Sequence, residues 1–271
     1  MLEYAFLIRI LGAFVVGGGW VAFVARLGDV LGSNRGGMVA GLPSTAAFGF
    51  LFIGWNQSAG VAAEATTEFP LIFSFTGVFL LSYAILATYG FWKALVLSLL
   101  IWLGGVSLVV ASDIQDFGVS LAVSALISLV VFFVFTWRLK LKKRSSSKYS
   151  GSSLEVLLRF ILGGGIVVLA VVASQMAGPR IGAIPTAFPA VSVPVLYVLH
   201  KSQGTEFSRA VTMPLMVTAM LTIIPYSVAV RIFFPVVGIW WGTAASYLVA
   251  TPFAALSYFV LKPTKRENLC I

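Results

Sequence analysis

The chain has 271 residues, 59% hydrophobic and 10% charged, with a formal net charge of +9 and a mean hydropathy of +1.01. Soluble domains carry about 25% charged residues and at most about half apolar ones, so this composition excludes a soluble enzyme, a disordered chain and a secreted disulfide scaffold. One cysteine, Cys270, and one histidine, His200, allow no intrachain disulfide and no Cys- or His-rich metal site. An integral membrane protein remains.

A bilayer core about 30 Å thick takes about 20 apolar residues per helical span. Nine uncharged runs answer that requirement: 10–25 (extendable back across Arg9), 36–63, 69–92, 94–112, 117–137, 160–179, 181–199, 210–230 and 232–261. None alternates apolar and polar residues as a membrane β-barrel strand does. The expected fold is all-α, a polytopic membrane protein of about nine transmembrane helices.

Orientation follows from Lys and Arg, which concentrate in cytoplasmic loops. Segment 138–148 carries six basic residues and no acid, so it is placed inside. Threading nine helices from it puts the N-terminus outside and the C-terminus inside. That arrangement leaves 15 Lys and Arg inside and three outside, Arg9, Arg180 and Arg231. Five acids, Glu3, Glu64, Glu68, Asp113 and Asp116, fall outside. The positive charge is thereby accounted for without a nucleic-acid partner. The first run opens on Glu3 rather than on a basic segment, and it reads as a span instead of a cleaved leader.

The two halves share a pattern. Leu7-Ile8-Arg9-Ile10-Leu11-Gly12 answers Leu157-Leu158-Arg159-Phe160-Ile161-Leu162-Gly163, and each runs into Gly17-Gly18-Gly19 or Gly163-Gly164-Gly165. Leu42-Pro43-Ser44-Thr45 answers Ile184-Pro185-Thr186-Ala187, Glu64 matches Arg209 with the charge reversed, and Ser82-Tyr83 matches Pro225-Tyr226. The expected division is a first repeat over 1–112, a connecting helix and basic linker over 113–153, and a second repeat over 154–271. An odd number of spans before the second copy inverts it across the membrane, the plan of many secondary transporters.

The second half reads Phe188-Pro189, Tyr197, Gly204, Arg209-Ala210 and Ile223-Ile224-Pro225-Tyr226. These intervals resemble the GlpM family of small, four-span bacterial inner-membrane proteins, over residues 157–260. The echo in 7–112 departs from the pattern: no Phe-Pro pair follows Pro43, and Glu64 stands where the Arg would be. The resemblance implies a multi-span protein of a prokaryotic cytoplasmic membrane, present as a tandem duplicate. It carries no substrate.

Catalytic constellations are missing from the sequence: no His-Glu-x-x-His, no phosphate loop, no Asp pair within a span. No enzyme activity, catalytic residue, metal or cofactor is expected. Pro43-Ser44-Thr45 and Pro185-Thr186 are the more informative motifs. Proline favours the first turn of a helix, and a helix starting inside the membrane exposes backbone N–H groups that lipid cannot satisfy. Positive dipole ends and orphan donors suit an anion, and Arg35 and Arg180 precede the two motifs. The alternative is a proline kink patched by a hydroxyl.

Tyr226, after Pro225 near mid-span, is a further candidate for the pathway. Glu64 and Glu68, one turn apart, are expected on one helix face and, with Arg209, as a gate or coupling group. The resulting expectation is a secondary transporter or channel for a small anionic solute. A translocase for an anionic lipid is the alternative, and a membrane enzyme or assembly factor a further one. The expected partners are the lipid bilayer and the solute or lipid; a homo-oligomer is compatible with the sequence.

Overall fold

The computed structural model describes residues 2–40, 42–139, 141 and 153–261, without the side chains of 2, 3, 5, 24, 25, 27–40, 153 and 154. Among these the protein is all-helical. The order is α1 (Leu2–Ala40), α2 (Thr45–Asn56), α3 (Ala59–Ala65), α4 (Phe69–Leu86), α5 (Phe91–Ser112), α6 (Phe117–Phe133), α7 (Ser153–Ala177), α8 (Pro179–Ala187), α9 (Ser192–Gln203) and α10 (Thr205–Leu261). Seven segments are individually long and apolar enough to cross a bilayer, and this is a helical membrane protein.

Helix ends follow local chemistry. Ser58 and Asp116 cap α3 and α6 by accepting from the N–H groups of Val61 and Val119, as short polar side chains do at N-caps. Pro70 and Pro179 occupy first turns, where a missing N–H costs nothing. Gly90 (φ 117°) opens α5, and Gly238 (φ 76°) breaks α10 into two legs. Such values favour glycine. Both glycines are hairpin corners: Phe75 lies against Gly105 across the first, and Phe234 against Gly242 across the second.

The observed breaks differ from the expected spans in three places. Helix α1 continues through 26–35, where a loop was expected, because the two arginines and Asp29 are compatible with helix. The run 36–63 is interrupted at 42–44 and again at 57–58, giving two short helices in place of one. The run 181–199 is interrupted at 188–191 around Pro189, whose ring removes a donor and disfavours helix in the residue before it. Most of the basic linker, 140 and 142–152, lies outside the described residues.

The tightest helix crossing is that of α1 with α7. A Cβ at Gly18 would strike the Phe160 carbonyl, and one at Gly164 would strike the Phe14 carbonyl. Gly17 lies against Val167, and Gly163 against Val21. Phe14 and Phe160 meet edge to face at 5.4 Å. Positions 14 and 160, 17 and 163, 18 and 164, and 21 and 167 all differ by 146, so each contact recurs with its partners exchanged. Small residues permit such approach in apolar surroundings, where close packing replaces the hydrophobic drive.

Polar groups gather at two ends of the bundle. At one, Arg9 donates to Trp55 O, Arg180 pairs with Glu68 and Asp113, and Arg231 reaches Ala63 O and Thr67. At the other, Arg209 donates to Ala84 O and pairs with Glu206, while His200 stacks on Phe91. Gly18→Ala and Gly164→Ala should each lower stability by about 1–3 kcal/mol through overpacking. Gly19→Ala and Gly165→Ala, which open onto free space, should stay within about 1 kcal/mol of wild type. Thermal unfolding of the four variants in detergent micelles checks both statements.

Candidate functional site

The core contains two interruptions at corresponding places, and they are finished differently. The first precedes α2. Pro43 and Ser44 are buried, Ser44 is the N-cap without a side-chain bond, and Phe48 N–H to Ser44 O is the first helical hydrogen bond. The N–H groups of Thr45, Ala46 and Ala47 therefore lack an intrahelical acceptor. All three residues are buried. Tyr247, on the second leg of α10, donates its hydroxyl to Pro43 O at 2.9 Å. Trp20 stands over the first turn, with its ring 5.6 Å from that of Phe48 and 6.4 Å from that of Tyr247.

Two side-chain donors near this break make no hydrogen bond of ordinary geometry, although the hydroxyl oxygens of Tyr247 and Thr243 lie beside them. The hydroxyl of Tyr226, a residue with no exposed surface, has no hydrogen-bond partner, and neither does the Trp20 indole N–H. Tyr226 packs edge to face on Tyr247 at 5.2 Å. It faces Thr243, whose hydroxyl donates to Ile239 O and keeps its acceptor lone pairs toward Tyr226. An unpaired buried donor costs roughly 1–3 kcal/mol. The first interruption is thus a cluster of donors.

The second interruption, 188–191, is sealed. Thr76 donates to Ala187 O at 2.9 Å, Trp102 donates to Thr76 at 3.3 Å, and Phe188 meets Trp102 edge to face. Val193 N–H bonds to Pro189 O, and Pro194 in the first turn of α9 has no N–H to satisfy. Few orphan groups remain there.

The register expected from sequence shifts accordingly. Pro185 lies in the last turn of α8 instead of starting a helix, and the Thr186 hydroxyl is turned to Ala183 O. The proline that stands before α9 as Pro43 stands before α2 is Pro189, 146 positions on. Thr186 still packs onto Gly49, one turn beyond Thr45, so the two motifs meet in the interior. The Arg35 side chain lies outside the described residues.

Glu64 and Glu68 do not share a helix face. Glu64 is exposed on α3, whereas Glu68 is the buried N-cap of α4 after the bend at Thr66-Thr67. Arg209 is tied to Ala84 O and Glu206 at the opposite end of α4 from Glu68. Trp20, Thr76, Trp102, Tyr247 and Asp113 were not singled out from sequence. Isolated aromatic, hydroxyl or acidic residues in or between apolar runs look like packing or interface groups until their partners are known.

Arg180 joins three elements at its end of the bundle. It binds Glu68 on α4 and Asp113, which ends α5 in a left-handed conformation (φ 50°). Arg180, through its hydrogen bond, holds the Asp113 carboxyl below its usual range. No group of three His, Cys, Asp or Glu side chains that could hold a metal occurs among the described residues. Compared with protein-family models, curated proteins and solved structures, the chain matches none.

A depressed carboxylate contributes stability above its unfolded value, and the contribution is lost as pH falls through the folded value. Wild type and Asp113→Asn should therefore differ in Tm at neutral pH and converge below about pH 4. Melting curves from neutral to acid pH measure the two.

Proposed function

We propose that the protein is a transporter or channel for a small anionic solute, built from two inverted repeats and binding the solute at the start of α2. The observation that carries this is the donor cluster there: the Tyr226 hydroxyl and the Trp20 indole, neither with a hydrogen bond of ordinary geometry, beside the buried first turn of α2. In apolar surroundings such groups call for an acceptor. An anion supplies it and gains from the positive end of the helix dipole.

The exchanged glycine contacts between α1 and α7 support the repeat reading. They are what a pseudo-two-fold axis through the crossing of two antiparallel helices produces. The GlpM-like intervals of the second half favour duplication as its origin. Interrupted helices in corresponding places are the usual pointer to a site in transporters of this plan. The basic linker favours a cytoplasmic position for 138–148, with the N-terminus outside and the C-terminus inside.

Selectivity at this site would rest on neutral donors. The solute is bound by dipoles and released without moving a buried charge, which suits passage better than tight storage. Purified protein in liposomes should take up small radiolabelled anions from a panel of chloride, phosphate and short carboxylates. Tyr226→Phe removes only the hydroxyl and should lower uptake about tenfold, the effect of one hydrogen bond to a charged ligand. Thr186→Val, whose hydroxyl serves Ala183, should leave it unchanged. No uptake of any anion by folded wild type, or equal uptake by Tyr226→Phe, rejects the reading.

A further inference from the structure

Where α4 begins, α5 ends and α8 begins, a cavity of about 200 Å³ is lined by Glu68, Val110, Asp113, Ala177, Arg180 and Ile181. Arg180 is its single cationic wall, and Val110, Ala177 and Ile181 make an aliphatic one. The guanidinium is engaged unequally. Glu68, 2% exposed, holds Nη2 from the protein side. Asp113, 66% exposed, holds Nη1 at 2.6 Å from the solvent side. The Nε–H is buried and has no partner. Water competes strongly with an exposed pair, so the Asp113 contact is weak. The buried Glu68 contact is costly to break.

We infer that this cavity binds a short-chain carboxylate, whose carboxylate group takes the place on Arg180 Nη1 that Asp113 otherwise holds. Charge favours exchange over addition. A further anion beside an intact Glu68–Arg180–Asp113 group would add to an already negative cluster. When one carboxylate replaces another, Asp113 turns outward into water and the charge at the guanidinium is unchanged.

The aliphatic wall fits a short alkyl tail, which inorganic phosphate lacks. A volume of about 200 Å³ accommodates a ligand of a few carbons. Few polar groups against an otherwise apolar lining is the ordinary make-up of a small-molecule site. Arginine, with a planar fork of donors and a charge that persists at all working pH, suits carboxylate recognition. Glu68 is a positioning residue here: it fixes the guanidinium from the side the ligand does not reach.

The inference rests on the anion-transport reading for its role, as the mouth of a pathway toward α2. Binding itself is tested without transport, on the full-length protein in lipid nanodiscs by calorimetry. The probes are butyrate, butyramide and inorganic phosphate. Butyrate should bind wild type at least tenfold more tightly than either other probe. Asp113→Asn, which keeps a residue suited to the left-handed conformation, removes the competitor and should bind butyrate about tenfold more tightly than wild type. Arg180→Gln should bind none.

A gain of affinity in Asp113→Asn cannot come from unfolding, so the test survives if Arg180→Gln does not fold. Equal affinity of wild type and Asp113→Asn, equal affinity for butyrate and butyramide, or no butyrate binding overturns the site. Binding in the expected order by a protein that takes up no anion keeps the site and rejects transport. Anion uptake without the expected order of binding rejects the site alone.

Discussion

A backbone amide or carbonyl deep in an apolar bundle must find a partner, and this chain breaks two of its helical runs, at 42–44 and 188–191, among buried residues. Each break exposes several groups that a continuous helix would pair internally. Much of the polar chemistry of the molecule consists of answers to that problem. Arg9 caps the carbonyl end of α2 at Trp55, Arg231 that of α3 at Ala63, and Arg209 that of α4 at Ala84. A cation at a helix C-terminus meets both the free carbonyls and the negative dipole end. Buried Thr66, Ser74, Thr222 and Ser227 return their hydroxyls to carbonyls of their own turn. Unpartnered buried groups also occur at Ser98, Ser124, Arg180 and Gln203, and what sets the α2 break apart is that a tyrosine hydroxyl and an indole N–H gather beside one helix start.

The two halves answer the same constraint with different residues, and the difference assigns them different work. The hairpin of α4 and α5 supplies Thr76 and Trp102 to close the break at 188–191. The hairpin formed by the legs of α10 supplies Tyr226 and Tyr247 to the break at 42–44, and only Tyr247 reaches a carbonyl there. One break is closed by side chains from a neighbouring hairpin, and the other keeps a tyrosine hydroxyl that reaches no carbonyl. The glycine contacts of α1 with α7 recur with their partners exchanged, as a packing surface that depends on glycine requires. Divergence is concentrated where backbone groups are exposed, since those positions can be finished in more than one way.

The helical class is legible in the sequence, because long uncharged runs leave a bilayer-crossing chain few alternatives. Gly17-Gly18 and Gly163-Gly164 also carry their meaning openly, since close helix approach favours glycine inside a helix. Breaks within a run are harder to read. Pro185 and Pro189 both interrupt the same apolar stretch, and sequence offers no way to tell the proline that ends a helix turn from the one that precedes the next helix. Leu42-Pro43 aligns with Phe188-Pro189 once positions are compared at the spacing of the α1–α7 contacts. Glu64 and Glu68 share a face only if residues 64–68 are helical, and the bend at Thr66-Thr67 separates them. Partners remote in sequence, Tyr247 for Pro43 and Glu68 for Arg180, leave no local signal.

Charge and dipole are kept apart along the molecule. The ion pairs named here lie at the two ends, and the donors before α2 are uncharged. An arginine at the α2 break would hold an anion more strongly, but it would itself need desolvation and a counter-charge. Neutral donors avoid that cost and bind more weakly, and weak binding allows release. At the Arg180 end the order reverses: a full charge is affordable because Asp113 is bathed in solvent and Glu68 neutralises what is buried. A solute entering from that end would pass from charge recognition with a competing carboxylate to dipole recognition with none. Its charge would be read first and its hydrogen-bonding shape afterwards.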